Sequence, residues 1–115
     1  MKAKRAHTIP LSTRALEIIA GQPAGDWLFH GDRKPHLSSG AMDALLERMG
    51  FAHITVHGFR SSFKDWASET TNFPNEVSES ALAHVIKDKA EAAYRRGALL
   101  AKRRELMQAW SDYLT

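Results

Sequence analysis

The chain has 115 residues, 43% apolar and 25% charged, which is the composition of one globular domain with a modest core. It excludes a disordered or low-complexity chain; no apolar run reaches the roughly 20 residues of a membrane helix, and no apolar stretch follows the basic start as a secretion signal requires. Sixteen Lys and Arg against 13 Asp and Glu give a net charge of +3, and the lack of Cys removes disulfides, thiolate metal sites and cysteine nucleophiles, as fits a cytoplasmic protein.

Residues 6–11, AHTIPL, alternate polar and apolar and predict a short strand. Pro10 places it at an edge or a strand end, because proline donates nothing to a ladder. Ser12 is a predicted N-cap for a helix carrying Ala15, Leu16, Ile18 and Ile19, broken by Gly21, Pro23 and Gly25. Trp27, Leu28 and Phe29 form a short apolar run, a strand or a buried loop. Ser38 or Ser39 is expected to cap a second helix with Met42, Leu45, Leu46 and Met49 on one face. Gly50 suits its C-terminal stop.

The next helix carries two stripes. Thr55 is its expected cap. Phe59, Phe63, Trp66 and Ala67 fall at i, i+4, i+7 and i+8, an apolar face. His57, Arg60 and Lys64 fall at i, i+3 and i+7, a polar face. A histidine and an arginine thus project together from the first turn, where free N–H groups and the helix dipole favour an anion. Residues 72–75 read as a turn. A helix with Val77, Ala81 and Leu82 inward follows and ends near His84. A short helix over 90–96 stops at Gly97, and a last helix carries Leu99, Leu106, Trp110 and Leu114 on one side. The fold class is mainly α with a small N-terminal β element, in a single domain over residues 1–115.

Charge is unevenly placed. Lys2, Lys4 and Arg5 crowd the start, and Lys87, Lys89, Arg95, Arg96, Lys102, Arg103 and Arg104 crowd a later stretch. Between them Asp65, Glu69, Glu76 and Glu79 form an interval without Lys or Arg. Solvated helix faces explain such runs; so do two basic edges of one phosphate-binding surface. Six histidines raise the question of a metal. His53 and His57 are four apart, but the residues between them read as extended and no acidic cluster completes a ligand set, so no metal or cofactor is expected. Neither a G-x-S-x-G elbow nor a glycine-rich phosphate loop occurs.

What remains is a metal-free set of Lys, His, Arg, His and Tyr. The stretches TVHGFRSSFKDWASE, ESALAH, AEAAYRRG and LLAKRRELMQAWSDYL closely resemble the C-terminal part of tyrosine recombinases, in particular prophage and satellite-phage integrases. Upstream, MKAKRAHTIPLS resembles the β-hairpin of that family. H-x-x-R alone is a weak signal; H-x-x-R, L-A-H and A-Y-R-R in this order and spacing are specific.

The resemblance implies a truncated DNA breaking-rejoining catalytic domain and a set of roles. His57 and Arg60 match the H-x-x-R pair, His84 the later histidine position, and Tyr94 the nucleophile. Lys2 matches the hairpin lysine, with Lys4 as the alternative register. It implies site-specific recombination through a 3′-phosphotyrosyl intermediate, with double-stranded DNA as partner, tetramers on paired sites, no small-molecule substrate and a DNA-associated bacterial setting. The stretch 99–114 is the candidate for contact with a second subunit; packing on its own core is the simpler alternative.

The residue types suit that chemistry. A tyrosine ester conserves the energy of the broken phosphodiester, so rejoining needs no ATP. At pH 7 a free tyrosine is only on the order of 0.1% ionised, so its proton needs an acceptor. Arginine donates paired hydrogen bonds to the charge that develops on phosphate oxygens. Taken alone, Tyr94 and Tyr113 are packing tyrosines, Arg60 a salt-bridge partner of Asp65 or Glu69, Trp66 and Trp110 core, and Lys102–Arg104 a solvated face. His7, His30 and His36 read as surface or loop. The family also uses an arginine upstream of the hairpin, where this sequence has none, so activity of these residues alone is expected to be absent or low. A non-catalytic DNA-binding or interaction remnant is the alternative. A helix-turn-helix regulator is disfavoured because no exposed helix face is rich in Arg, Asn and Gln.

Overall fold

The computed structural model describes residues 6–84 and 99–115. Five helices follow in order: α1 (Thr13–Ala20), α2 (Ala41–Arg48), α3 (Gly58–Thr70), α4 (Asn75–Ala81) and α5 (Leu100–Leu114). The predicted short helix over 90–96 lies outside the described residues.

The core is built where α3, α4 and α5 meet. Phe63 and Ala67 of α3, Val77 of α4, and Leu99 and Leu106 of the last segment are buried. Trp66, Phe73, Ala81, Leu82, Met107 and Trp110 close around them. The apolar stripe of α3 therefore faces inward as its spacing predicts, except at Phe59, which is 49% exposed. Trp66 and Trp110 stand with ring centroids 5.0 Å apart, and Phe63 meets Trp110 edge-on at 5.5 Å. Offset and edge-on pairs of this kind add about 0.5–1.5 kcal/mol beyond their buried area. Tyr113 stacks on Trp110 and still leaves 65% of its surface in solvent. Leu106 and Trp110 of α5 thus pack within the chain, whereas Leu114, expected on the same side, is 61% exposed.

The expected N-terminal β element is not seen: no strand occurs among the described residues. A strand needs a ladder partner, and residues 6–12 are instead held by side chains of α5. The Arg103 guanidinium donates to the Thr8 carbonyl at 2.6 Å and lies 3.4 Å from His7 Nε2. The Gln108 amide oxygen accepts from the Thr13 backbone N–H at 2.8 Å. Arg103 is consequently buried, which corrects its assignment to a solvated face. That burial pushes its pKa below the usual arginine value, and its Nε has no partner among the described residues.

Some helix ends follow the predicted caps and others do not. Ser12 Oγ accepts from Ala15 N–H, the predicted N-cap of α1. The cap of α2 differs: Gly40 occupies the position without a side-chain bond, and Ser38 contributes only its backbone carbonyl, to Ala41 N–H. Gly50 stops α2 at φ +85. Phe51 N–H reaches Leu46 C=O and Gly50 N–H reaches Glu47 C=O, the paired bonds of a Schellman turn.

Neither α1 nor α2 buries a residue. Leu16, Met42, Leu45 and Met49 are 46–57% exposed. Trp27, Leu28 and Phe29 form neither strand nor buried loop; they sit in a chain of bends and are almost half exposed.

Arg103→Ala is expected to lower stability to urea by about 2–3 kcal/mol, because a charge-assisted bond and a packed side-chain stem go together. Arg103→Lys should recover only part of this, since an ammonium lacks the planar fork. A change within about 0.5 kcal/mol, the usual range for surface substitutions, would show that the Thr8 contact does not hold the N-terminal segment.

Candidate phosphate site between α3 and α4

The first turn of α3 is prepared by Thr55. Its hydroxyl accepts from Gly58 N–H at 3.0 Å, and its carbonyl takes the same N–H at 3.1 Å. This is the expected cap, although His57, at φ −60 and ψ −32, is the residue that borders the helix. Phe59 and Arg60 N–H groups then bond back to Val56 and His57 carbonyls. His57 and Arg60 both emerge exposed from this tight turn.

Arg60 does not pair with Asp65 or Glu69. Its guanidinium reaches across to α4, where Nη2 donates to the Leu82 carbonyl at 2.6 Å. Leu82 is the C-cap of α4, two residues before His84. The turn is another Schellman pair: His84 N–H bonds to Glu79 C=O and Ala83 N–H to Ser80 C=O, each at 3.1 Å. Here the left-handed position is filled not by glycine but by Ala83, at φ +59. It is the only non-glycine residue of positive φ among the described residues. A Cβ in that conformation costs about 1–2 kcal/mol, and such strain persists where the surroundings over-determine it.

The turn delivers His84 back onto its own helix. Its Nδ1 contacts Glu79 Oε2, while Glu79 Oε1 lies 3.1 Å from Lys64 Nζ. Lys64 also donates to Asn75 Oδ1 at 2.5 Å and to the buried Ser78 Oγ at 2.6 Å. Three ammonium protons thus meet three acceptors on α4. Ser78 Oγ is itself used as a donor, to Asn75 C=O. Lys64, which spacing alone places on the polar face with His57 and Arg60, is therefore committed to joining α3 to α4.

The charges around His84 decide its protonation. Partial burial and the positive charges of Arg60 and Lys64 push its pKa below the ordinary histidine value. Glu79 pulls the other way, but its carboxylate is shared with Lys64. The imidazole is therefore mainly neutral at pH 7.

His57, Arg60 and His84 are thus borne by two adjoining helix ends, with Arg60 bonded to the turn that carries His84. Tyr94 and Lys2 lie outside the described residues. Glu79, Ser78 and Asn75 organise the site, and the sequence assigns none of them a role: Glu79 lies in the acidic interval and opens the ESALAH stretch, with no partner named for it. A separate shallow cleft, lined by Asn72, Phe73, Pro74, Lys102 and Glu105, contains none of these groups.

Known proteins now bear on this geometry. The chain is 38% identical over 119 residues to prophage integrase IntA of Escherichia coli (strain K12), covering 97% of this chain and 29% of that protein. It is 32% identical to the integrase of Enterobacteria phage P4 and 29% identical to that of Shigella phage Sf6, covering 99% of this chain in both cases. The chain is a relative of the phage and prophage integrases. It spans 28–31% of the length of these three proteins. No family model and no solved structure matches it. Among the described residues no helix is long and apolar enough to cross a membrane.

Two outcomes are expected. Ala83→Gly should stabilise the chain by about 0.5–1 kcal/mol, the relief of left-handed strain less the added entropy of the unfolded chain. Chemical denaturation measures it, and a loss of stability would remove the strain argument. For pH, a histidine with a lowered folded pKa makes a stability contribution that is complete above the unfolded value of about 6.5. That contribution is lost as pH falls from there through the folded pKa. His84→Gln should therefore flatten the stability profile in this window, modestly, because the ring is half exposed.

Proposed function

We propose that the chain is the C-terminal part of a tyrosine-type integrase catalytic domain, acting in site-specific DNA cleavage and rejoining. The observation that carries the reading is the Arg60–Leu82 bond. It joins the H-x-x-R turn of α3 to the L-A-H turn of α4, which supports reading these two motifs of the resemblance as parts of one site. Homology to named integrases over almost the whole chain supports it.

In this reading the scissile phosphate sits against the first turn of α3. Arg60 donates to a non-bridging oxygen with the N–H groups that Leu82 does not use. His57, exposed at the same turn, takes part in proton transfer, and His84 holds a second phosphate oxygen. The phenolic oxygen of Tyr94 attacks phosphorus and passes its proton to His57. The bond from phosphorus to the 5′-oxygen breaks, and that oxygen leaves as a hydroxyl with a proton from Lys2. The product is a 3′-phosphotyrosyl ester and a free 5′-hydroxyl. Rejoining is the reverse attack by a 5′-hydroxyl, which restores the tyrosine. The step needs no metal. Tetramers on paired DNA sites belong to the same proposal.

The test is a chimera in which residues 1–115 replace the matching segment of the Escherichia coli IntA integrase. Incubated with a nicked attachment-site duplex, it should form a covalent protein–DNA adduct that Tyr94→Phe abolishes. Arg60→Ala should slow adduct formation on the order of a hundred- to thousand-fold, the usual effect of losing one oxyanion donor. A folded chimera whose adduct survives Tyr94→Phe would sink the assignment. The isolated chain should bind duplex DNA with a log K against log salt slope of about −0.9 per phosphate contact, and a flat response would argue against a DNA surface.

A further inference from the structure

The carboxylate of Glu79 stands between the Lys64 ammonium and the His84 imidazole and belongs to neither the H-x-x-R nor the L-A-H motif. Its Oε1 faces Lys64 Nζ and its Oε2 faces His84 Nδ1. Lys64 is fixed in turn by Asn75 and Ser78. The histidine backbone is fixed as well, by the bond from His84 N–H to the carbonyl of this same Glu79. One residue therefore holds His84 at two points, by main chain and by side chain.

We infer that Glu79 is a positioning residue that sets the tautomer and direction of His84. A carboxylate accepts and does not donate, so the nitrogen against it must carry hydrogen. In the neutral ring that hydrogen is on Nδ1, and the lone pair is left on Nε2. Nε2 is then the nitrogen offered to the reacting phosphate. An arriving phosphate oxygen favours protonation of Nε2, because the ring then stands between two anions and donates to both. This logic is the one by which carboxylates orient histidines in metal sites and hydrolase triads. Lys64 holds Glu79 in place and offsets its charge, so the acidic residue serves the phosphate site without repelling the phosphate directly.

The inference deepens the phosphate-binding reading and rests on it, and the two are separable by experiment. The first measurement uses the DNA-free chain, with ¹⁵N NMR of the His84 ring at a pH where it is neutral. The wild type should show the Nδ1–H tautomer. Glu79→Ala should lose that preference and give a mixture. Glu79→Gln, the milder change, should keep the tautomer through its amide oxygen but lower the His84 pKa, since Arg60 and Lys64 then act unopposed. A mere packing role for Glu79 would move neither the tautomer nor the pKa. An Nε2–H tautomer in the wild type, or no change of tautomer and pKa in Glu79→Gln and Glu79→Ala, would overturn the inference. The second measurement adds a short DNA duplex. Saturation should raise the His84 pKa in the wild type and raise it less in Glu79→Ala. Binding that leaves His84 unmoved while the DNA-free result holds would count against the phosphate role of His84, not against its orientation by Glu79.

Discussion

The ammonium of Lys64 is the contact on which the site depends. It has three protons, and α4 presents three acceptors in one turn: Asn75 Oδ1, Ser78 Oγ and Glu79 Oε1. A hydrogen bond to a charged group contributes about 1.5–3 kcal/mol, and a cation left half-desolvated without acceptors is costly. The match fixes the angle at which α4 meets α3. It also fixes where Glu79 stands, and through Glu79 where the ring of His84 points. Arg60 reinforces the arrangement from the other end by binding the carbonyl of the C-cap.

The clamp acts on a short helix. Over Asn75–Ala81, α4 has seven residues, too few for stability on its own. Its order comes from Val77, fully buried against the core, and from polar bonds at both its edges. The strained turn at Ala83 is held the same way. The Schellman bonds and the Glu79–His84 contact converge on a residue that pays for its left-handed backbone. Strain of this kind, one residue from a proposed reacting group, is a recurring property of functional turns.

Arg103 does for the N-terminal segment what Lys64 does for α4. A buried guanidinium is tolerated because it binds a main-chain carbonyl that has no ladder partner among the described residues. Arg103 is thereby removed from the basic stretch that reads as a phosphate-binding edge on charge alone, and Lys64 is committed to α4 rather than free on the polar face it shares with His57 and Arg60. Much of the exposed apolar surface lies elsewhere, on α1, α2 and the bends at Trp27–Phe29, where several large side chains are about half exposed, and Phe59, Tyr113 and Leu114 add to it. The core formed by α3, α4 and α5 is small, with five buried apolar residues.

The sequence by itself determined the helices of the site and the motifs on them. Period and caps place Phe63 and Ala67 inward, Ser12 and Thr55 at helix starts and Gly50 at a helix stop, because these are local rules of spacing and backbone geometry. The H-x-x-R and L-A-H motifs are legible for the same reason, as short patterns read along the chain. The tertiary structure decided what the charged side chains do. Lys64 and Arg60 share a face with His57 by spacing, yet their partners lie 11 to 22 residues away in sequence. Arg103 reads as solvated, yet is buried against Thr8, 95 residues distant. The alternation over residues 6–11 promises a strand, yet pairing needs a neighbour that local pattern cannot supply. Long flexible cations choose acceptors by proximity in space, and Glu79 acquires its place beside His84 only when α4 ends in a turn that sends the chain back along its own helix.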